Sequence, residues 1–226
     1  MRFLKARTGR ENGQSFVELA LIIPLLLVTL AGLTEVGFYM FTYLNALDLT
    51  REAARFASTR DFNVLNVTDP NPSHLPMSAC TDNVLHYYYD TACFFVDPQL
   101  NPWLPINPNN YDDVTISVFS VNDNNVIIQR FPLPSGVWSL YNNNWQKDCN
   151  GNVVTTQPTI SNATIQNDFM SGAPHSKGLV LVEVYYCYHQ VLNLPFFSQF
   201  MSNPLRMHAY SIMPAPEAIP TPTPIP

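Results

Sequence analysis

The sequence predicts an α+β protein in which one long N-terminal helix packs on an antiparallel sheet. Three observations lead there. No charged residue lies between Glu18 and Glu35, a stretch dominated by Leu, Ile, Val and Ala, so a helix there is apolar on every face and suits lipid. Beyond Tyr43 the apolar residues recur at helical steps on one side only. Further on, residues 113–121, 126–131, 179–190 and 205–212 carry the alternation, or the β-branched and aromatic content, of strands.

A single helix from Phe16 to Ser58 is roughly 65 Å long at 1.5 Å per residue, about twice the hydrocarbon thickness of a bilayer. Half of it must therefore stand outside. Arg2, Lys5, Arg7 and Arg10 precede the apolar run with only Glu11 against them, which keeps the N-terminus in the cytoplasm and places the rest of the chain on the extracytoplasmic side. Phe38, Tyr39, Phe41 and Tyr43 cluster at the far end, where amphipathic rings favour the headgroup layer. The membrane segment is thus expected at 14–44, with Glu18 and Glu35 near its rims and Pro24 tolerated within it. Gly32, Glu35, Gly37 and Ala46 are candidates for contacts between helices, the small residues permitting close approach. In the stalk, 45–60, Ala46, Leu49, Ala53, Phe56 and Ala57 form one stripe, while Asp48, Arg51, Glu52 and Arg55 lie opposite. That stripe needs cover, and the domain that follows is its source.

Gly13-Gln-Ser-Phe-Val-Glu18-Leu-Ala, then Pro24, then Glu35-Val-Gly37 and then Arg51-Glu-Ala-Ala-Arg-Phe-Ala57 follow one another in the first quarter of the chain. In this combined pattern the chain resembles the TadE-like family of tight-adherence pilus proteins. In that family such chains are minor pilins or pseudopilins, which implies a pilin-like fold and a structural role in a pilus or secretion apparatus. It also implies that residues 1–13 are a basic leader removed by a prepilin peptidase between Gly13 and Gln14. Glu18, the fifth residue of the shortened chain, would then pair with the new amine of a neighbouring subunit, since a carboxylate at the membrane rim is costly unless partnered. A plain signal anchor, with Glu18 reaching the interface, is the bland alternative. A signal peptide cut after Thr29-Leu30-Ala31 is another, opposed by the return of apolar character from Val36 to Leu44.

Only 12% of the 226 residues are charged, the formal charge is -6, and four of the eleven Lys and Arg precede Gly13. The remainder is more acidic still, which argues against nucleic acid as a partner. Cys80, Cys93, Cys149 and Cys187 are the only cysteines. An even number on the outer side suggests two disulfides, and four cysteines allow three pairings. Cys80 with Cys93 and Cys149 with Cys187 is preferred because the first pair closes a short loop. Without a CxxC spacing, and with five scattered His, no metal or other cofactor is expected.

The domain spans 61–212. Its first part, to Asn110, is rich in Pro, Asn and Asp and reads as irregular connection, with 83–89 and 92–96 apolar enough for a strand or a short helical turn. Trp103 is expected to dock a loop onto the core. Asp113 to Val121 alternates as a half-buried strand, and Asn122-Asp-Asn-Asn125 turns it into Val126 to Phe131; this turn lacks the residue order of a calcium loop. Asn150-Gly151 predicts a second hairpin between Trp138–Cys149 and Val153–Thr156. Leu179 to Gln190 is expected to be the central strand against the stalk, and Leu205 to Ile212 the closing one. Leu194-Pro-Phe-Phe is an apolar loop. From Met213 onward, 213–226 reads as a polyproline tail unable to pack. Asn66-Val-Thr68 and Asn162-Ala-Thr164 match glycosylation sequons, which the resemblance to a prokaryotic family implies are coincidental.

An enzymatic reading needs a convergent polar pocket. Glu183, His189 and Asp168 are its only candidates, and no nucleophile or oxyanion loop accompanies them in the sequence. Glu183 is expected to be paired structurally or exposed, and His189 to be an edge histidine. The function expected is therefore assembly, with lipid, other pilin-like subunits and a prepilin peptidase as partners. A permanently anchored accessory subunit of a larger membrane complex, its leader retained, is the alternative.

Overall fold

The computed structural model describes residues 12–60, 80, 87–170, 178–193, 202–216 and 218. The basic leader before Asn12, the sequon at Asn66, the apolar loop from Leu194 and most of the Pro-rich tail lie outside the described residues. Helix α1, Asn12–Ser58, is continuous for 47 residues with Pro24 inside it, as the apolar run and the stripe beyond it require. A short helix α2, Tyr87–Val96, lies beside it, stapled by the Cys80–Cys93 disulfide. Strands β1 (Asp113–Val121), β2 (Ile127–Phe131), β3 (Trp138–Ser139), β4 (Gly178–Tyr188) and β5 (Leu205–Ala215) follow, with helix α3, Asn162–Asp168, between β3 and β4.

The five strands form one antiparallel sheet in the order β2-β1-β4-β5, with β3 also paired to β1. β4 is central, as its composition predicts. One face carries Val114, Ile116, Val118, Val180, Val182, Val184, Met207 and Ala209, and it packs on Ala46, Ala53, Ala54 and Ala57 of α1 and on α2. From Glu35 to Ser58, α1 extends about 36 Å at 1.5 Å per residue, and the 11 residues of β4 or β5 also extend about 36 Å. The outer half of the helix therefore matches the height of the sheet. Asp48, Arg51, Glu52 and Arg55 stay exposed on its far side, where Arg51 meets Asp48 at 3.3 Å and Arg55 meets Glu52 at 2.9 Å.

The other face of the sheet is covered too, and here the structure departs from the sequence reading. All nine residues of β1 are buried, not one face alone. Ile160, Ile165 of α3 and Met170 close over Phe119, Val121, Leu179 and Leu181. Arg130 ties this layer down by donating to Gly136 O at 2.7 Å, Ile160 O at 2.9 Å and Ser117 Oγ at 2.9 Å. Strand β1 thus faces the helices on one side and this irregular layer on the other.

The hairpin of β1 and β2 forms as expected, because the Asn122 side chain accepts from the N–H groups of Asn124 and Val126 and turns the chain. The second hairpin does not. The turn at Gly151 is present, with φ at 86° and the Tyr111 hydroxyl where a Cβ would stand. Only one bridge flanks it, Lys147 with Val153. Asn142 and Asn143 take left-handed conformations, which end β3 after two residues. The tail begins later than expected, since Met213, Pro214 and Ala215 belong to β5 and Ala218 is buried. Pro214 fits there because β5 is an edge strand among the described residues. Gly178 is required beneath this end, as a Cβ on it would meet Ala218 and lie 2.6 Å from Phe119 O.

Candidate functional site

From Ser15 to Leu30 every side chain of α1 is exposed to the surroundings, and the helix is long and apolar enough to cross a membrane. Gly13 and Gln14 lie in its first turn. Glu18 is exposed on the bare part of the rod. Among the described residues a Cβ on Gly37 would meet nothing within 4 Å, so no contact there requires glycine; Gly32 is half-buried. Ala46, grouped with these glycines as a possible contact between helices, is instead buried against the chain's own sheet.

Glu35 ends the bare segment. Its Oε1 accepts from the Tyr188 hydroxyl at 2.7 Å and the Val191 N–H at 3.0 Å, and its Oε2 accepts from the Leu192 N–H at 2.9 Å. One turn later Tyr39 packs edge-on against Tyr188, with 5.4 Å between ring centroids. Burial and the neighbouring carboxylate push the Tyr188 hydroxyl above its ordinary pKa, so it remains the proton donor in this bond. Glu35 was grouped with residues for contacts between helices. It is engaged within the chain, latching the end of β4 to the rod. Its partners are more than 150 residues away in sequence, and no local spacing announces them.

Around the latch, the base of the domain is held by buried carboxylates. Asp113 accepts from Ser139 Oγ at 2.7 Å and from the N–H groups of Trp145, Tyr141 and Val114, and so shapes the chain from 139 to 145. Burial pushes its carboxyl pKa up, against the pull of those donors. Asp112 accepts from the N–H groups of Cys187 and Asn107. Burial raises it from 3.8 to about 6, with these bonds and the charges of His189 and Arg206 opposing. The Cys149–Cys187 disulfide closes the same region.

The candidates for catalysis do not converge. Glu183 is buried, not exposed, and meets His208 Nε2 at 2.9 Å, the Tyr185 hydroxyl at 3.0 Å and Thr115 Oγ1 at 3.4 Å. His208 in turn stacks on Tyr185 and Tyr210. Glu183 is thus paired structurally, with a histidine that sequence reasoning did not single out. His189 and Asp168 are exposed. Among the described residues no group of His, Cys, Asp or Glu is placed to hold a metal ion. The geometry offers a bare apolar rod fixed to a folded domain.

Neither a curated protein nor a solved structure matches this chain. Residues 13–55, which comprise the bare rod, Glu35 and most of the face packed on the sheet, match the model of the family described as TadE-like protein, so over that stretch the chain is similar to this family.

Proposed function

We propose that the protein is a membrane-anchored pilin or pseudopilin of the TadE-like kind, a structural assembly component of a tight-adherence type IV pilus or a related secretion system. The observation that carries this reading is the coincidence of the family match with a rod divided in two. Its first half is bare and apolar, and its second half is the spine of a folded domain. In this reading α1 crosses the membrane once, with the N-terminus cytoplasmic and the domain outside, where both disulfides form. A prepilin peptidase cuts between Gly13 and Gln14. Glu18 then registers the subunit against the amine of a neighbour, and the exposed apolar surface of the rod supplies lateral contacts in lipid and filament. The role is mechanical, and the internal bonding of Glu183 supports a structural over a hydrolytic use of that carboxylate.

The test joins two measurements on the protein from its own cells. The N-terminus should be Gln14; Met1 would favour a permanently anchored accessory subunit, and Gly32 a secreted product. Glu18→Ala should leave the protein in the membrane fraction but reduce its recovery in sheared filaments by at least about tenfold, the factor that corresponds to ~1.4 kcal/mol. Unchanged recovery would remove Glu18 from assembly.

A further inference from the structure

Two loops at the base of the domain present apolar side chains beside the rod where its bare segment ends. In the first, Trp103 is 68% exposed and Leu100 51%, and the Trp103 ring meets Phe41 of α1 edge-on at 6.1 Å between centroids. In the second, Val191 is 58% exposed and Leu192 40%, and this is the loop whose N–H groups bind Glu35. The sequence reading expected Trp103 to dock inward. The structure instead turns it out and buries its neighbour Leu104.

Neither loop is exposed through looseness. The buried Asn101 side chain donates to Phe95 O at 2.7 Å and to Leu104 O, and accepts from the Leu104 N–H at 2.9 Å, which fixes Trp103 outward. On the other side Asn203 accepts from the Gln190 N–H at 3.1 Å and donates to Asn193 Oδ1 at 2.8 Å. Both apolar projections are held in place from behind by polar side chains.

We infer that these two loops rest on the lipid headgroup layer, flanking the point where α1 leaves the bilayer, and that Trp103 is the interfacial anchor of the domain. The inference rests on α1 being the membrane span. Ser15 to Thr34 cover about 30 Å at 1.5 Å per residue, the hydrocarbon thickness itself, so Glu35 and the Val191–Leu192 loop fall at the outer rim. Glu35 can sit there because each of its oxygens is hydrogen-bonded. Phe41 follows about 9 Å higher, but helical side chains lean toward the N-terminus, here toward the membrane, which lowers its ring and Trp103 with it. An indole with an apolar body and one N–H donor suits that layer better than water. Phe41 and Glu35 are six residues apart on a helix, so the two loops lie on different sides of the rod and brace it against tilting.

The test uses the full chain in vesicles of phosphatidylethanolamine and phosphatidylglycerol, with and without acyl chains brominated near the headgroup. Brominated lipid should quench a component of the tryptophan emission in the wild type, and that component should vanish in Trp103→Phe, since Trp138 and Trp145 pack within the domain. An equal bromine-sensitive component in both proteins would overturn the inference. So would a Trp103 component quenched only by aqueous iodide, or one insensitive to bromine that varies with the protein-to-lipid ratio and so reports a second copy as the occupant. Flotation with the vesicles separates the two levels of the argument. A chain that fails to float refutes the membrane span and the proposed function with it, whereas one that floats with Trp103 in water refutes only the resting surface.

Discussion

Glu35 joins the rod to the domain through one carboxylate with three donors, two of them backbone N–H groups in the loop just past the end of β4. Hydrogen bonds to a charged group contribute on the order of 1.5–3 kcal/mol each when buried and less where water competes. For this partly exposed latch, Glu35→Ala should cost about 1–2 kcal/mol in all and leave the central sheet intact. Hydrogen exchange would show this as faster exchange at Val191 and Leu192 with Val182 and Val184 unchanged; equal protection at all four would argue that the latch contributes nothing. Asp112 makes a second prediction. Its pKa is raised by burial from 3.8 to about 6, so the folded state holds its proton more tightly than the unfolded chain. Its contribution is fully present below about pH 4 and is lost as pH rises through about 6, by an amount on the order of 3 kcal/mol. Urea midpoints measured from pH 7 to pH 4 should therefore fall less steeply, or rise more, in the wild type than in Asp112→Asn, and parallel profiles would refute this.

At the scale of elements, α1 and the long strands were legible because each has an unmixed period: an apolar run with no charge, a one-sided stripe, and alternation from Val114 to Val118. The irregular layer was not. Tyr87–Val96 has aromatic residues that suit a strand as well as a helix, and what selects the helix is non-local, the bridge from Cys80 to Cys93 and the packing of Phe94 on Phe56. Asn150-Gly151 announced a real turn, but the conformations of Asn142 and Asn143 that deny it a hairpin follow from how Asp113 gathers the chain at Ser139, Tyr141 and Trp145. The Glu35 latch was equally hidden, since the sequence placed Glu35 at a rim without naming Tyr188. The outer half of α1 belongs to the core and not to a separable anchor. Burying a Val or Ile contributes about 1.5–3 kcal/mol, so uncovering even half of the face from Val114 to Val184 forfeits an amount comparable to the whole margin of about 5–15 kcal/mol of a typical domain. A chain beginning at Glu35 should fold in water, and one beginning at Arg60 should not; circular dichroism with a cooperative thermal transition distinguishes them, and a folded product from Arg60 would refute the shared core.

For the molecule as a whole, the consequence lies in how α1 is attached. No hinge separates the part in contact with the sheet from the bare part below it. A tug along the rod axis therefore cannot unzip the domain one row at a time. It loads the contacts at Ala46, Thr50, Ala53 and Ala57 together, in shear, so that they share the force and must give way at once. In the proposed assembly role the protein would act as a tension member, with its grip on the load spread along the length of the strands.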